Sequence, residues 1–282
     1  MQSVSNLDNE SIIDPLKSKC DACLGLCCVA LFFSKTDGFP HDKKAGEPCK
    51  HLATDHTCEV YPNLKQLGYK GCISFECFGA GQKISRFTFE NQDWRSKSEI
   101  SKNMFESFQV MRQLHEMIQY VAEANQRIET ISIHDRLSEA LSKLIDNSNL
   151  SFEELTELNL DVLHNEVDTL LTEASKLILG DENKLTKNIR KLGRSMNLIG
   201  KDLRQIELRN TNLRSALMIA STLQGVDFGS SNFLGADIRD ALIQDADLSQ
   251  CFFLTQAQVN SAKGNSSTKL PITCIQPKHW DK

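Results

Sequence analysis

The stretch Gly235-Ala236-Asp237-Ile238-Arg239-Asp240-Ala241-Leu242-Ile243-Gln244-Asp245-Ala246-Asp247-Leu248-Ser249 repeats its chemistry every five residues. Read outward at that spacing, Leu198, Leu203, Leu208, Leu213, Met218, Leu223, Phe228, Phe233, Ile238, Ile243, Leu248 and Phe253 are all large and apolar. Two residues before each, the later repeats carry something small: Ala216, Ser221, Ser231, Ala236, Ala241, Ala246 and Cys251. The residue just before is often Asp or Asn, as at Asp202, Asn212, Asp227, Asn232, Asp237 and Asp247. A period of five matches neither the 3.6 of a helix nor the 2.0 of a strand. It requires a chain that turns a corner every five residues and points one large and one small side chain inward on each side.

This pattern resembles the pentapeptide repeat family, A(D/N)LXX. The resemblance implies a right-handed quadrilateral β-helix with four pentapeptides per coil, so the twelve repeats make three coils. At a strand spacing of about 4.8 Å the stack is roughly 15 Å tall. Both ends of such a stack need covering. Thr255 to Gly264 is similar to the C-terminal capping helix of that family, with Gly264 as its stop. Leu185, Ile189 and Leu192 fall at helical spacing, which makes residues 181 to 192 a candidate front cap.

Every periodic residue is accounted for by packing, so the repeat itself reads as structural, and the flat-sided β-helix that the resemblance implies offers a scaffold surface for a protein partner. An alternative follows from one branch of the family, which mimics DNA and acts on type II topoisomerases as an antibiotic-resistance or immunity protein. Charge counts against it. A duplex segment of about 15 Å carries roughly nine phosphates, whereas residues 196 to 255 carry seven acids and five bases.

Eight of the ten cysteines lie at the other end of the chain, as Cys20-x2-Cys23-x3-Cys27-Cys28 followed by Cys49, Cys58, Cys72 and Cys77. Thiolates are soft ligands, and a CxxC pair lets two of them meet one ion from a tight turn. All eight are candidate ligands for zinc or an iron–sulfur cluster. Neighbouring side chains tend to diverge, so Cys27 and Cys28 leave two arrangements open: two sites sharing the segment, or one site beside a spare thiol. His41, His51 and His56 are possible substitutes for a thiolate. A disulfide framework would need an oxidising compartment, and scattered buried thiols without metal are the remaining reading. An Fe–S redox enzyme is a further alternative, although the chain has no CxxxCxxC run or second cofactor fingerprint. Phe78-Gly-Ala-Gly-Gln82 lacks the rest of a phosphate-binding glycine motif and reads as a turn.

Residues 19 to 80 also resemble the CxxCxxCC family of zinc- or iron-chelating proteins. The matching stations are the opening cysteine run, Pro48-Cys49-Lys50-His51-Leu52, Thr57-Cys58-Glu59-Val60-Tyr61 and Gly71-Cys72. This chain has three residues rather than two before the double cysteine and lacks the Arg-Pro that usually follows the tyrosine. Bacterial pentapeptide repeat proteins with a similar Leu-Cys-Cys-Val-Ala-Leu and Cys-Phe-Gly-Ala-Gly-Gln front end make the fusion a recurring architecture.

Between the two ends, Met104, Phe108, Met111, Leu114, Ile118 and Val121 form one helical stripe, and Leu137, Leu141, Leu144 and Ile145 a second. Ser151-Phe-Glu-Glu154 reads as a capping box. A fourth helix is expected from Asp161 to Leu179, ended by Gly180. His115, His134 and His164 on these helices read as packing or surface residues.

The chain has 282 residues and a formal charge of −5, which indicates no direct nucleic-acid partner. It has no run of about 18 apolar residues that would span a membrane. Asp8, Glu10 and Asp14 leave no apolar leader, so a cytoplasmic location is expected. The expected fold class is multidomain α+β: a small Cys-rich metal-binding module, a helical middle, and a C-terminal three-coil pentapeptide-repeat right-handed β-helix. The expected divisions are a tail at 1–19, the Cys-rich module at 20–95, the helices at 98–180, the capped repeats at 181–264 and a tail at 265–282.

Overall fold

A computed structural model describes residues 12–180 and 196–280. The expected front cap at residues 181–192 and the start of the N-terminal tail lie outside the described residues. The chain divides into two units, the first of residues 1–71 and 76–172, the second of residues 72–75 and 173–282.

In the first unit, α1 (Leu26–Ala30) opens directly after Gly25, whose φ of 69° is left-handed. Any Cβ there would stand 2.6 Å from a Leu52 methyl, so only glycine lets these loops meet. The short helices α2 (Lys70–Ser74), divided between the units after Gly71, and α3 (Ala80–Lys83) follow. α4 (Ser98–Gln126) is the spine of the unit and buries Met104, Phe108, Met111, Leu114, Ile118 and Val121 along one stripe. Against it pack α1, α3, α5 (His134–Asn147) and α6 (Phe152–Glu157). α5 contributes Leu137, Leu141 and Leu144 at helical spacing. The Ser151–Glu154 capping box opens α6 with both of its reciprocal hydrogen bonds. α7 (Leu160–Leu179) begins in the first unit and ends in the second. Among the described residues no helix is long and apolar enough to cross a membrane.

The expected multidomain α+β class and its C-terminal β-helix are corrected by the second unit. Among the described residues the regular elements are all helical, and no strand or sheet forms. A corner every five residues leaves each side too short for a strand. What forms instead is a set of single parallel bridges between residues 20 apart, among them Asn197 with Leu217, Leu217 with Asp237, Thr222 with Leu242, Asp227 with Asp247, and Asn232 with Phe252. All twelve large periodic residues, from Leu198 to Phe253, are at most 1% exposed, so the five-residue beat is a packing beat.

The preceding Asp or Asn makes the corner. Its side-chain oxygen accepts the backbone N–H two residues on: Asp202 from Arg204 at 3.2 Å, Asp227 from Gly229 at 2.8 Å, Asn232 from Leu234 at 2.9 Å, Asp237 from Arg239 at 3.1 Å. These are Asx turns, which a short side-chain oxygen favours. α8 (Gln256–Ser261) follows the repeats, opened by a Thr255–Gln258 capping box. Gln258 donates to the carbonyls of Phe233 and Ala236, both at 2.8 Å. The helix stops at Ser261 rather than at Gly264. Gly264 instead lies against the Trp280 ring, where a Cβ would be 2.5 Å away.

Candidate metal centre

Seven of the eight candidate cysteines lie in the first unit, and Cys72 lies in the second. None of the seven is in a disulfide. They come from five segments. Cys20 starts a single 3-10 turn that ends before Cys23, whose N–H donates to the Cys20 carbonyl. Cys27 and Cys28 sit in α1. Cys77 precedes the turn into α3, and on that helix Gly81 lies against both Cys23 and Cys77. A Cβ at Gly81 would be 2.7 Å from the Cys23 sulfur and 3.8 Å from the Cys77 sulfur. Gly81 thus leaves room for the two thiols, whereas a Cβ at Gly79 would meet the Pro15 carbonyl oxygen at 2.1 Å.

Cys49 is placed by its N–H, which donates to the Cys28 carbonyl at 2.9 Å. Cys58 returns to the same place through the antiparallel bridge between Leu52 and Cys58, reinforced by Glu59 N–H to the His51 carbonyl at 3.0 Å. The adjacent pair does not diverge as the sequence suggests: the Cys27 and Cys28 sulfurs are 3.9 Å apart. Two sulfurs bound tetrahedrally at about 2.3 Å from one zinc stand roughly 3.8 Å apart, so this spacing fits shared ligation. Among the described residues no three His, Cys, Asp or Glu side chains already stand as a ready metal-holding group.

The titration of these thiols is set largely by burial. Burial pushes the Cys20 thiol up to about 11, and the neighbouring Cys77, Cys23 and Cys28 add to the rise. Burial also raises Cys23, Cys49, Cys58 and Cys77. Between the adjacent cysteines the thiol–thiol hydrogen bond raises Cys27 and lowers Cys28, and the charge of Lys43 favours the Cys28 thiolate further. Crowded buried thiols resist ionising together because each anion repels the next. A cation among them reverses that preference and releases their protons. By chemistry seven thiols are donors suited to a soft metal ion, while by position no three of them stand together among the described residues.

The candidate histidines take other roles. His41 and His51 both meet the Tyr69 ring edge-on, at 5.8 and 5.5 Å between centroids. His56 pairs with Asp93 at 3.2 Å, and Arg95 donates to the His56 ring and to the carbonyls of Ala53 and Thr54. His115 is buried, with Nδ1 2.6 Å from the Phe78 carbonyl next to Cys77. Cys251 and Cys274 are buried in the second unit, their thiols donating to the carbonyls of Gly229 and Leu254.

Two supporting features had no signal in the sequence. Ser18 Oγ lies 2.8 Å from the Cys77 sulfur and donates to Glu76. Lys43, the first of two adjacent lysines, is 8% exposed. Its ammonium donates to the carbonyls of Val29, Leu31, Lys44 and Glu47 and lies 4.6 Å from the Phe33 ring centre.

Comparison with known proteins defines the class first. Residues 216–253 match the family of pentapeptide repeats in eight copies. Over 272 residues the chain is 41% identical to the uncharacterized protein YybG of Bacillus subtilis (strain 168), covering 96% of this chain and 97% of that one. The chain belongs to the family of that protein. No solved structure matches it.

Proposed function

We propose that this protein is a cytoplasmic metal- or iron–sulfur-binding pentapeptide repeat protein whose repeat surface serves as a scaffold for a protein partner. The observation that carries the metal reading is the gathering of seven thiols, from five chain segments, in one unit without a disulfide. The resemblance of residues 19 to 80 to the CxxCxxCC family supports it. In this reading residues 20–95 hold the metal, α4 (Ser98–Gln126) braces that module within the first unit, and the repeats present the partner surface.

The scaffold reading is favoured over DNA mimicry by the charge on the repeats. Several acids are matched by bases: Asp202 by Arg204, Asp237 by Arg239, Asp227 by Arg209 and Asp247 by Lys269. Paired charges of this kind do not reproduce a row of phosphates.

Anaerobic purification from the cytoplasm, followed by metal quantification, tests the proposal. Stoichiometric zinc or iron is expected. Zinc indicates a structural centre, iron with visible absorption indicates a redox-capable one, and neither metal overturns the reading.

A further inference from the structure

Cys27 and Cys28 are successive residues of α1, both free thiols and both partly exposed. On a helix, neighbouring side chains point about 100° apart and do not face each other. Here the two sulfurs turn toward each other and stand 3.9 Å apart. A disulfide needs them at about 2.05 Å, so joining them takes a movement of roughly 2 Å.

Such a bond is strained by the shortness of the link beneath it. Adjacent Cα atoms stand about 3.8 Å apart, whereas disulfide-bonded residues usually have Cα atoms about 4.4–6.8 Å apart. The ring therefore twists the peptide that joins the two cysteines. The N–H of that peptide, on Cys28, donates to the Gly25 carbonyl at 2.9 Å and holds the first turn of α1. On either side of the pair Leu26 and Val29 are fully buried, and α1 packs on α4. The Cys28 carbonyl in turn accepts from Cys49 N–H at 2.9 Å. Strained or exposed disulfides are the easily reduced, regulatory kind.

We propose that Cys27 and Cys28 are an oxidative modification site: a hydroperoxide converts them to a vicinal disulfide, which loosens α1 and is reversed by thiols. One thiolate attacks the peroxide O–O bond and becomes a sulfenic acid. The leaving oxygen takes up a proton and departs as water, or as an alcohol from an organic hydroperoxide. The neighbouring sulfur then attacks the sulfenic sulfur. The S–S bond forms, the S–O bond breaks, and the hydroxyl leaves as water with the second thiol's proton. The two sulfurs lose two electrons and the peroxide gains them. Two molecules of a thiol such as glutathione return the electrons and protons and leave as their own disulfide. In a reducing compartment disulfides are usually transient and redox-sensing. The inference stands apart from the metal-binding reading, because it concerns the metal-free thiols.

The test uses the full chain, reduced and freed of metal with a chelator, then treated with hydrogen peroxide. Remaining thiols are blocked with N-ethylmaleimide, and the chain is cut by trypsin after Lys19 and Lys35 without reduction. The peptide of residues 20–35 holds Cys20, Cys23, Cys27 and Cys28. Mass spectrometry should show it lighter by two hydrogens, with maleimide on Cys20 and Cys23 alone. Maleimide on Cys27 or Cys28, a bridge from either to another cysteine, or no oxidation overturns the proposal. With its partner removed, the remaining cysteine of C27S or of C28S should hold a sulfenic acid that dimedone traps. Labelling in neither variant refutes the sulfenic step. Excess glutathione should restore both thiols, and a disulfide that persists refutes the reversible switch. Amide hydrogen exchange over residues 26–30 should be about tenfold faster in the oxidised chain, the loss of one backbone hydrogen bond. Equal exchange in the two states contradicts the loosening of α1.

Discussion

Gly81 and Cys23 are in such close approach that a single methyl group at Gly81 would stand 2.7 Å from the Cys23 sulfur. Real Cβ atoms do not come that near, so the sulfur or α3 has to move. G81A is therefore expected to cost about 1–3 kcal/mol, as overpacked cores do. It should also lower metal retention, because the displaced atom is itself a candidate ligand. Urea unfolding read beside metal content checks both; a variant of native stability and native metal content contradicts the placement of Cys23.

The corners of the repeat should respond in opposite directions to glycine. Ala220 adopts φ 54° and Gly235 φ 65°, both left-handed. Left-handed backbone costs an L-residue roughly 1–2 kcal/mol, while glycine's extra chain entropy costs about 0.5–1 kcal/mol. A220G is expected to stabilise by several tenths of a kcal/mol and G235A to destabilise by a similar or larger amount. Nothing but the Ser215 hydroxyl, 3.7 Å away, would crowd a methyl at Gly235, so backbone strain is isolated there. Chemical denaturation of the two variants reads the difference.

Asn232 is fully buried and spans two partners. Its Nδ2 donates to Ser175 Oγ at 2.9 Å and its Oδ1 accepts from Leu234 N–H at 2.9 Å. N232A strips both and leaves buried polar groups without their partner, a loss of about 1–3 kcal/mol. N212A, at an exposed Asx position, should cost less. Equal losses at the two positions in thermal melts would contradict the role assigned to Asn232.

His115 makes the first unit acid-labile. Burial pulls its pKa down to about 4, against a partly offsetting hydrogen bond to the Phe78 carbonyl and a further lowering by Lys83. The folded pKa lies below the unfolded value of about 6.5, so the unfolded chain binds the extra proton first. The stabilisation is complete above pH 6.5 and is lost as pH falls towards about 4, to the extent of roughly 3 kcal/mol. H115Q should flatten this part of the stability profile between those pH values. A profile as steep in H115Q as in the unsubstituted chain would falsify the assignment.

The five-residue spacing made the repeat core legible because large side chains at one fixed period have only one way to be buried together. It did not reveal that each side is too short to count as a strand, since that depends on how many residues pair between corners. The helices at 98–126 and 134–147 were readable from their apolar stripes, and Ser151 from its capping chemistry. The stop expected at Gly264 failed because that glycine serves contact with Trp280, a long-range demand that local punctuation cannot show. In the candidate site, the residue types were visible and their grouping was not. Cys72 resembles its neighbours in spacing yet belongs to the other unit, and Lys43 looks like an ordinary surface lysine within His41-Asp-Lys-Lys44. Only the carbonyls converging from Val29, Leu31, Lys44 and Glu47 mark it as buried.

The central claim, that these thiols ligate a metal, is tested most directly by X-ray absorption at the metal edge of the anaerobically purified full chain. The account predicts a shell dominated by sulfur at about 2.3 Å. A shell of only nitrogen and oxygen around the bound metal would contradict it.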